Sequence, residues 1–187
     1  MSYKILVTGT PGVGKTTLSK HMKKVLGCKM ISLSDLIEKK KLYSNRCAKY
    51  DTLEYDPEKV EKYLRKKLKK GESYIFDTHD PESVSFIRFD AIIVLSADTY
   101  VLSERYDKRG YNKIKADENI QVEIMEVIYN EVIENICEDS EEIDSIIRIE
   151  TVKDRKSKPV EEIYKEIEES SAWKDLVKTK AAKEAHA

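Results

Sequence analysis

Gly9-Thr10-Pro11-Gly12-Val13-Gly14-Lys15-Thr16-Thr17 gathers three of the chain's six glycines and one of its four prolines into nine residues. An apolar run, Lys4-Ile5-Leu6-Val7, precedes it and reads as a buried strand. After it, Leu18, Met22, Val25 and Leu26 recur at helical spacing, and Gly27 supplies a stop. The stretch is therefore a strand–loop–helix corner. It fits the spacing G-x-x-x-x-G-K-[ST] at Gly9, Gly14, Lys15 and Thr16. Gly12 and Gly14 let backbone N–H groups turn inward in conformations that a Cβ would resist. The helix start at 15–17 adds unpaired N–H donors and the positive end of the helix dipole. Lys15 can reach the β- and γ-phosphates of a nucleoside triphosphate, and the Thr16 hydroxyl can bind Mg²⁺.

The 187 residues suit one domain with a substantial core. Charged residues make up 37%, yet the net charge is only −1, which argues against a chain built wholly around nucleic acid or a membrane surface. Local basic clusters remain open as binding sites. No apolar run approaches the ~20 residues of a membrane span. Met1-Ser2-Tyr3 leads straight into the first strand, so no targeting peptide is expected. Cys28, Cys47 and Cys137 lack metal-type spacing and read as inert thiols of a reducing compartment.

Strand and helix patterns alternate along the rest of the chain. Strands are expected at 29–33, 74–77, 91–95 and 145–150. Ser34 is expected to cap a short helix through Glu38, and 43–56 to be an irregular exposed insertion. Asp56 and Pro57 should open a helix that runs to Gly71. Further helices are expected at 99–108, 117–137 and 159–169, with a polar, mobile segment at 111–115 and a frayed tail from 171 to 187. This order implies an α/β fold, a five-stranded parallel sheet with helices on both faces and the phosphate site at the carboxyl ends of the strands.

Asp77 ends an apolar strand, where a second Mg²⁺ carboxylate is expected. His79 follows two residues later, as a catalytic group or as a loop histidine. Arg105 and Arg109 share a helical face before Gly110. They can stabilise a transferring phosphoryl group, or pair with Glu104 and Asp107 on a solvated face. Lys39, Lys40, Lys41 and Arg46 can clamp a second anion or simply be solvated.

"LVTGTPGVGKTTLSK", "FDTHD", "VLSERYDKRGYN" and "ENIQVEIMEVIYNE" together resemble the adenylate kinase isoenzyme 6 family over residues 3–170. The resemblance implies one P-loop NTPase domain of the nucleoside monophosphate kinase type (1–170), with a monophosphate-binding insertion at 32–55 and a short lid at 108–117. It implies conversion of ATP and AMP to two ADP, with Mg²⁺, alongside ATP hydrolysis. Gly12, Gly14, Lys15, Thr16, Thr17 and Arg109 should bind ATP. Asp35, Lys39, Arg46, Tyr50 and Asp51 fall in the AMP-binding insertion. Lys15, Asp77, His79, Arg105 and Arg109 are the catalytic candidates, and Thr16 and Asp77 the metal candidates. The family further implies a monomer that partners a small-subunit ribosomal protein and pre-ribosomal particle, in nucleus and cytoplasm. Glu38 departs from the family pattern, which carries an arginine there. A carboxylate facing AMP would weaken its binding, with Lys39 or Arg46 as substitute cations.

Overall fold

The computed structural model describes residues 2–185. Five parallel strands form the central sheet: β1 (Lys4–Thr8), β2 (Lys29–Ser32), β5 (Tyr74–Asp77), β6 (Ala91–Ser96) and β7 (Ile147–Glu150), in the order β2-β5-β1-β6-β7. Alternate residues face opposite layers, as the two-residue strand period demands. Ile5, Val7, Ile75, Ile93 and Leu95 pack on one side against α1 (Lys15–Leu26), α4 (Thr99–Lys108) and α8 (Val160–Glu169). Leu6, Phe76, Ile92 and Val94 pack on the other against α2 (Leu33–Lys40), α3 (Pro57–Lys67) and α6 (Val127–Asn135). The α/β architecture with helices on both faces is as the alternation implied.

The caps read from sequence hold at α3, where Asp56 accepts from the Glu58 N–H and Pro57 opens the helix. They fail at α2. Ser32 occupies its N-cap without a side-chain bond, and Ser34 lies inside the helix. The α3 helix stops at Lys67, before Gly71, because Leu68 is extended. At α4, Asp98 accepts from the N–H groups of Tyr100 and Val101. Asp98→Ala should cost about 1 kcal/mol of stability, read as a lowered urea midpoint at unchanged slope.

Three expectations need larger correction. Residues 43–56 are not irregular. β3 (Tyr43–Cys47) and β4 (Thr52–Tyr55) form an antiparallel hairpin with Arg46 opposite Leu53. The expected helix 117–137 is two helices, α5 (Lys113–Ile124) and α6, broken at Glu126 in a left-handed conformation (φ 51°). The break lets the two halves serve opposite layers: Ala116 and Ile120 join the α4 side, Val132 the α3 side. Ile124 is left exposed instead of joining an apolar stripe. The tail is a helix, α9 (Ser171–Ala185), with residues 186 and 187 outside the described residues. Trp173 is buried edge-on to Tyr164, and Lys180 pairs with Asp90 at 2.7 Å and donates to the Ser2 carbonyl. Three short features went unforeseen: a 3-10 turn (Glu82–Val84), α7 (Ser140–Asp144) and the hairpin of β8 (Val152–Lys153) and β9 (Lys156–Ser157). Among the described residues no helix is long and apolar enough to cross a membrane.

Candidate active site

β1 delivers the chain to the phosphate loop, and α1 leaves it at Lys15. Gly12 (φ 96°) and Gly14 (φ 110°) both take positive φ, as the inward-turned loop requires. Three outside anchors hold the loop. Tyr106 donates its hydroxyl to the Pro11 carbonyl at 2.5 Å, Arg105 donates to the Gly12 carbonyl at 2.6 Å, and Thr151 donates to the Val13 carbonyl at 2.8 Å. Arg105 also donates to Ser157 Oγ at 2.8 Å. Both ends of its guanidinium are thus engaged, and it does not line the cleft. The Glu104 or Asp107 pairing considered for it is not made.

Lys15 Nζ donates to the carbonyls of Gly9 (2.6 Å) and Thr10 (3.0 Å). Burial pushes its ammonium down to about 8; the Asp77 charge opposes that and the Arg109 charge adds to it. Thr16 Oγ1 donates to Asp77 Oδ2 at 2.7 Å. Burial raises the Asp77 carboxyl above its usual range, against the Thr16 bond and the Lys15 charge. One hydroxyl and one carboxylate are hard oxygen donors, too few to enclose an ion. That sparse set fits Mg²⁺, which completes its shell with water and nucleotide phosphates.

After β5 the chain turns at Thr78, whose hydroxyl meets both the N–H and the C=O of Asp80 at 3.0 Å. The turn presents His79 to the cleft. Its surface is open to cleft solvent, yet protein atoms crowd it. Their desolvation, then the Lys15 charge, pushes the imidazole down to about 4, so it is neutral at pH 7. Tyr55, at the end of β4, donates to Asp80 and meets Ser83 Oγ at 2.8 Å, tying the insertion to this turn.

The loop, the β5 end, α2 and the β3–β4 hairpin enclose one cleft of about 510 Å³. Gly12, Gly14, Lys15, Thr16, Thr17, Asp77, His79 and Arg109 line one part, with Asp35, Tyr50 and Asp51 on the insertion wall. Lys39 and Arg46 do not reach it. Lys39 pairs with Asp35 at 3.1 Å, and Arg46 lies between Asp51 (3.1 Å) and Glu38 (3.4 Å). Glu38 is exposed, outside the cleft wall, and pairs with Arg46.

The lid supplies residues that sequence reasoning missed. Tyr111 stacks on Tyr106 with ring centroids 5.2 Å apart, and Lys115 and Asn119 also line the cleft. Asn112 caps α5 by accepting from the Lys115 N–H, and donates across the cleft mouth to the Lys49 carbonyl at 3.2 Å. The cap residue Asn112 and the helical run after it were the available signal.

The fold and this cleft define a P-loop nucleotide kinase. Residues 5–126 match the family described as AAA domain. A Methanocaldococcus jannaschii protein with a provisional adenylate kinase name is 40% identical, over 66% of this chain and 68% of its own. An adenylate kinase isoenzyme 6 homolog of Schizosaccharomyces pombe is 35% identical, over 70% of this chain and 74% of its own. Among solved structures, a gluconokinase from Sinorhizobium meliloti superposes with a TM-score of 0.53 over 99% of this chain and 97% of that one, at 14% identity. The chain belongs to the adenylate kinase isoenzyme 6 family.

Proposed function

We propose that this chain transfers the γ-phosphoryl group of ATP to AMP, giving two ADP. The observation that carries the reading is the single cleft with a phosphate loop at one end and an α2–hairpin wall at the other. Leu33, Ile37 and Leu53 give that second wall an apolar lining suited to a base, with the polar edges of Ser32 and Thr52 beside them. The relatives' names point the same way.

In this reading the AMP phosphate oxygen attacks the γ-phosphorus, and the bond to the β–γ bridging oxygen breaks. The attacking phosphate is already ionised, so no base need remove a proton. Catalysis is then mostly positioning and charge stabilisation. Loop N–H groups and Lys15 would hold the β- and γ-phosphates, and Thr16 and Asp77 would hold Mg²⁺, which would supply charge neutralisation at the transferring group. Arg109 reaches the cleft from the C-cap of α4, just before the lid. Arg109→Lys keeps the charge and loses the planar fork. It should lower kcat about tenfold or more with the KM for ATP little changed. A raised KM at unchanged kcat would reassign Arg109 to uniform ATP binding.

The family resemblance extends the proposal to ATP hydrolysis and to assembly of the small ribosomal subunit beside a ribosomal protein partner, in nucleus and cytoplasm. Neutral His79 at the cleft supports the hydrolytic part, since a neutral imidazole can orient an attacking water. Product analysis tests both activities. Two ADP per AMP consumed marks the kinase. Phosphate released from ATP without AMP, and increased by a ribosomal protein, marks the ATPase. ATP turnover with neither pattern would overturn the proposal.

A further inference from the structure

We propose that Lys115 is a second lid cation for the nucleotide phosphates, and that Asp51 is only its resting partner. This rests on the phosphotransfer reading above. Lys115 Nζ donates to the Asp51 carbonyl at 2.7 Å and lies 3.4 Å from Asp51 Oδ2. It also sits over the Tyr111 ring, 4.5 Å from its centre. A lysine in a polar lid would ordinarily extend to water. This side chain is only 15% exposed and lines the cleft.

Its tie to the Asp51 carboxylate is weak by three measures. The carboxylate contact is long, the Asp51 side chain is 55% exposed, and Arg46 already shares that carboxylate at 3.1 Å. An exposed, shared ion pair contributes little. A polyphosphate of higher charge, enclosed between loop and lid, is the stronger partner. Lys15, Arg109 and Lys115 are the cationic residues lining this cleft. With Lys15 at the loop and Arg109 at the hinge, Lys115 completes a positive enclosure from the lid side.

The alternative role, a latch acting through Asp51, separates cleanly. Lys115→Met should lower kcat for ADP formation about tenfold or more, whereas Lys115→Arg should keep kcat within about threefold. Asp51→Asn removes only the carboxylate charge, leaving the 2.7 Å bond to the Asp51 carbonyl, and should lower kcat at saturating AMP clearly less than Lys115→Met does, whatever it does to the KM for AMP. Calorimetry with two adenosines joined through a polyphosphate should show about tenfold weaker binding to Lys115→Met than to wild type. If the Met variant does not fold by thermal melting, Lys115→Gln takes its place with the same expected losses. Equal kcat losses in Lys115→Met and Asp51→Asn would overturn the proposal in favour of a latch, and unchanged analogue affinity in Lys115→Met would overturn it outright. Wild type making no ADP from ATP and AMP would instead sink the phosphotransfer reading, with the calorimetry still deciding the role of Lys115.

Discussion

Lys15→Ala will lower turnover about 10²–10³-fold, the usual loss when one stabilising group is taken from a dry phosphoryl-transfer site. The side chain is 9% exposed, and among the described residues it makes no ion pair with a carboxylate. Two loop carbonyls hold the ammonium instead. Carbonyl dipoles position a cation without cancelling its charge, so the charge stays available to an arriving phosphate. For the same reason the substitution should leave the fold intact, because an incompletely compensated buried charge is lost with the side chain. Steady-state turnover and thermal melting on one preparation test both halves. Near wild-type turnover would remove Lys15 from the chemistry, and an unfolded variant would show that its carbonyl contacts hold the loop together.

Gly9→Ala should destabilise the chain by about 3 kcal/mol, since backbone strain and overpacking each cost about 1–3 kcal/mol. Gly9 lies at φ 132°, and a Cβ there would stand 2.2 Å from the Leu95 carbonyl oxygen. That oxygen belongs to β6, held between β1 and β7 in the sheet, so it cannot swing away as a side chain would. Gly14 is the control. Its φ is 110°, but a Cβ would meet nothing within 4 Å. Gly14→Ala should therefore cost only the backbone strain, and the difference between the two urea midpoints isolates the clash. Equal losses would mean that β6 yields more easily than its place between two paired strands suggests.

The contrast also shows where sequence was readable. The loop and its flanks are local: a buried strand, bare backbone and a helix start follow each other without interruption, and the two-residue and 3.6-residue periods mark them. The 43–55 hairpin lacks that signal. Tyr43, Ser44, Asn45 and Arg46 are all exposed, so no inside–outside alternation marks the strand, and cross-strand pairing is not written in local order. The break at Glu126 hid for the opposite reason. Apolar residues continue at helical spacing through it, but Ile120 belongs to one layer, Val132 to the other, and Ile124 between them is exposed. Trp173, Leu176 and Val177 were at helical spacing all along in the tail, too few to outweigh the polar run after them. In the site, Lys15, Thr16, Asp77 and Arg109 come from elements that sequence could place, and they meet at one cleft. Arg46 and Lys39 were placed by charge alone. Nearby carboxylates engage both outside the cleft, which spacing does not reveal.

The α5 helix is fixed at its far end. Ala97, just past β6, donates its N–H to Glu123 at 2.7 Å, one residue before the helix finishes. At about 1.5 Å per residue, twelve residues make a rod of about 18 Å from this anchor to the lid. The lid is thus the free end of a lever whose fulcrum sits beside the phosphate loop. A swing of about 20° about Glu123 carries the Asn112 end through about 6 Å on that rod length, enough to part Asn112 from Lys49 and Lys115 from Asp51 while the loop scarcely moves. Opening then parts Asn112 from Lys49 and Lys115 from Asp51 at the tip, works against the packing of Tyr111, Ala116 and Ile120 on the α4 layer, and leaves the β6–Glu123 pivot intact. A shortened or kinked α5 would lose reach at the cleft mouth before it disturbed the phosphate loop.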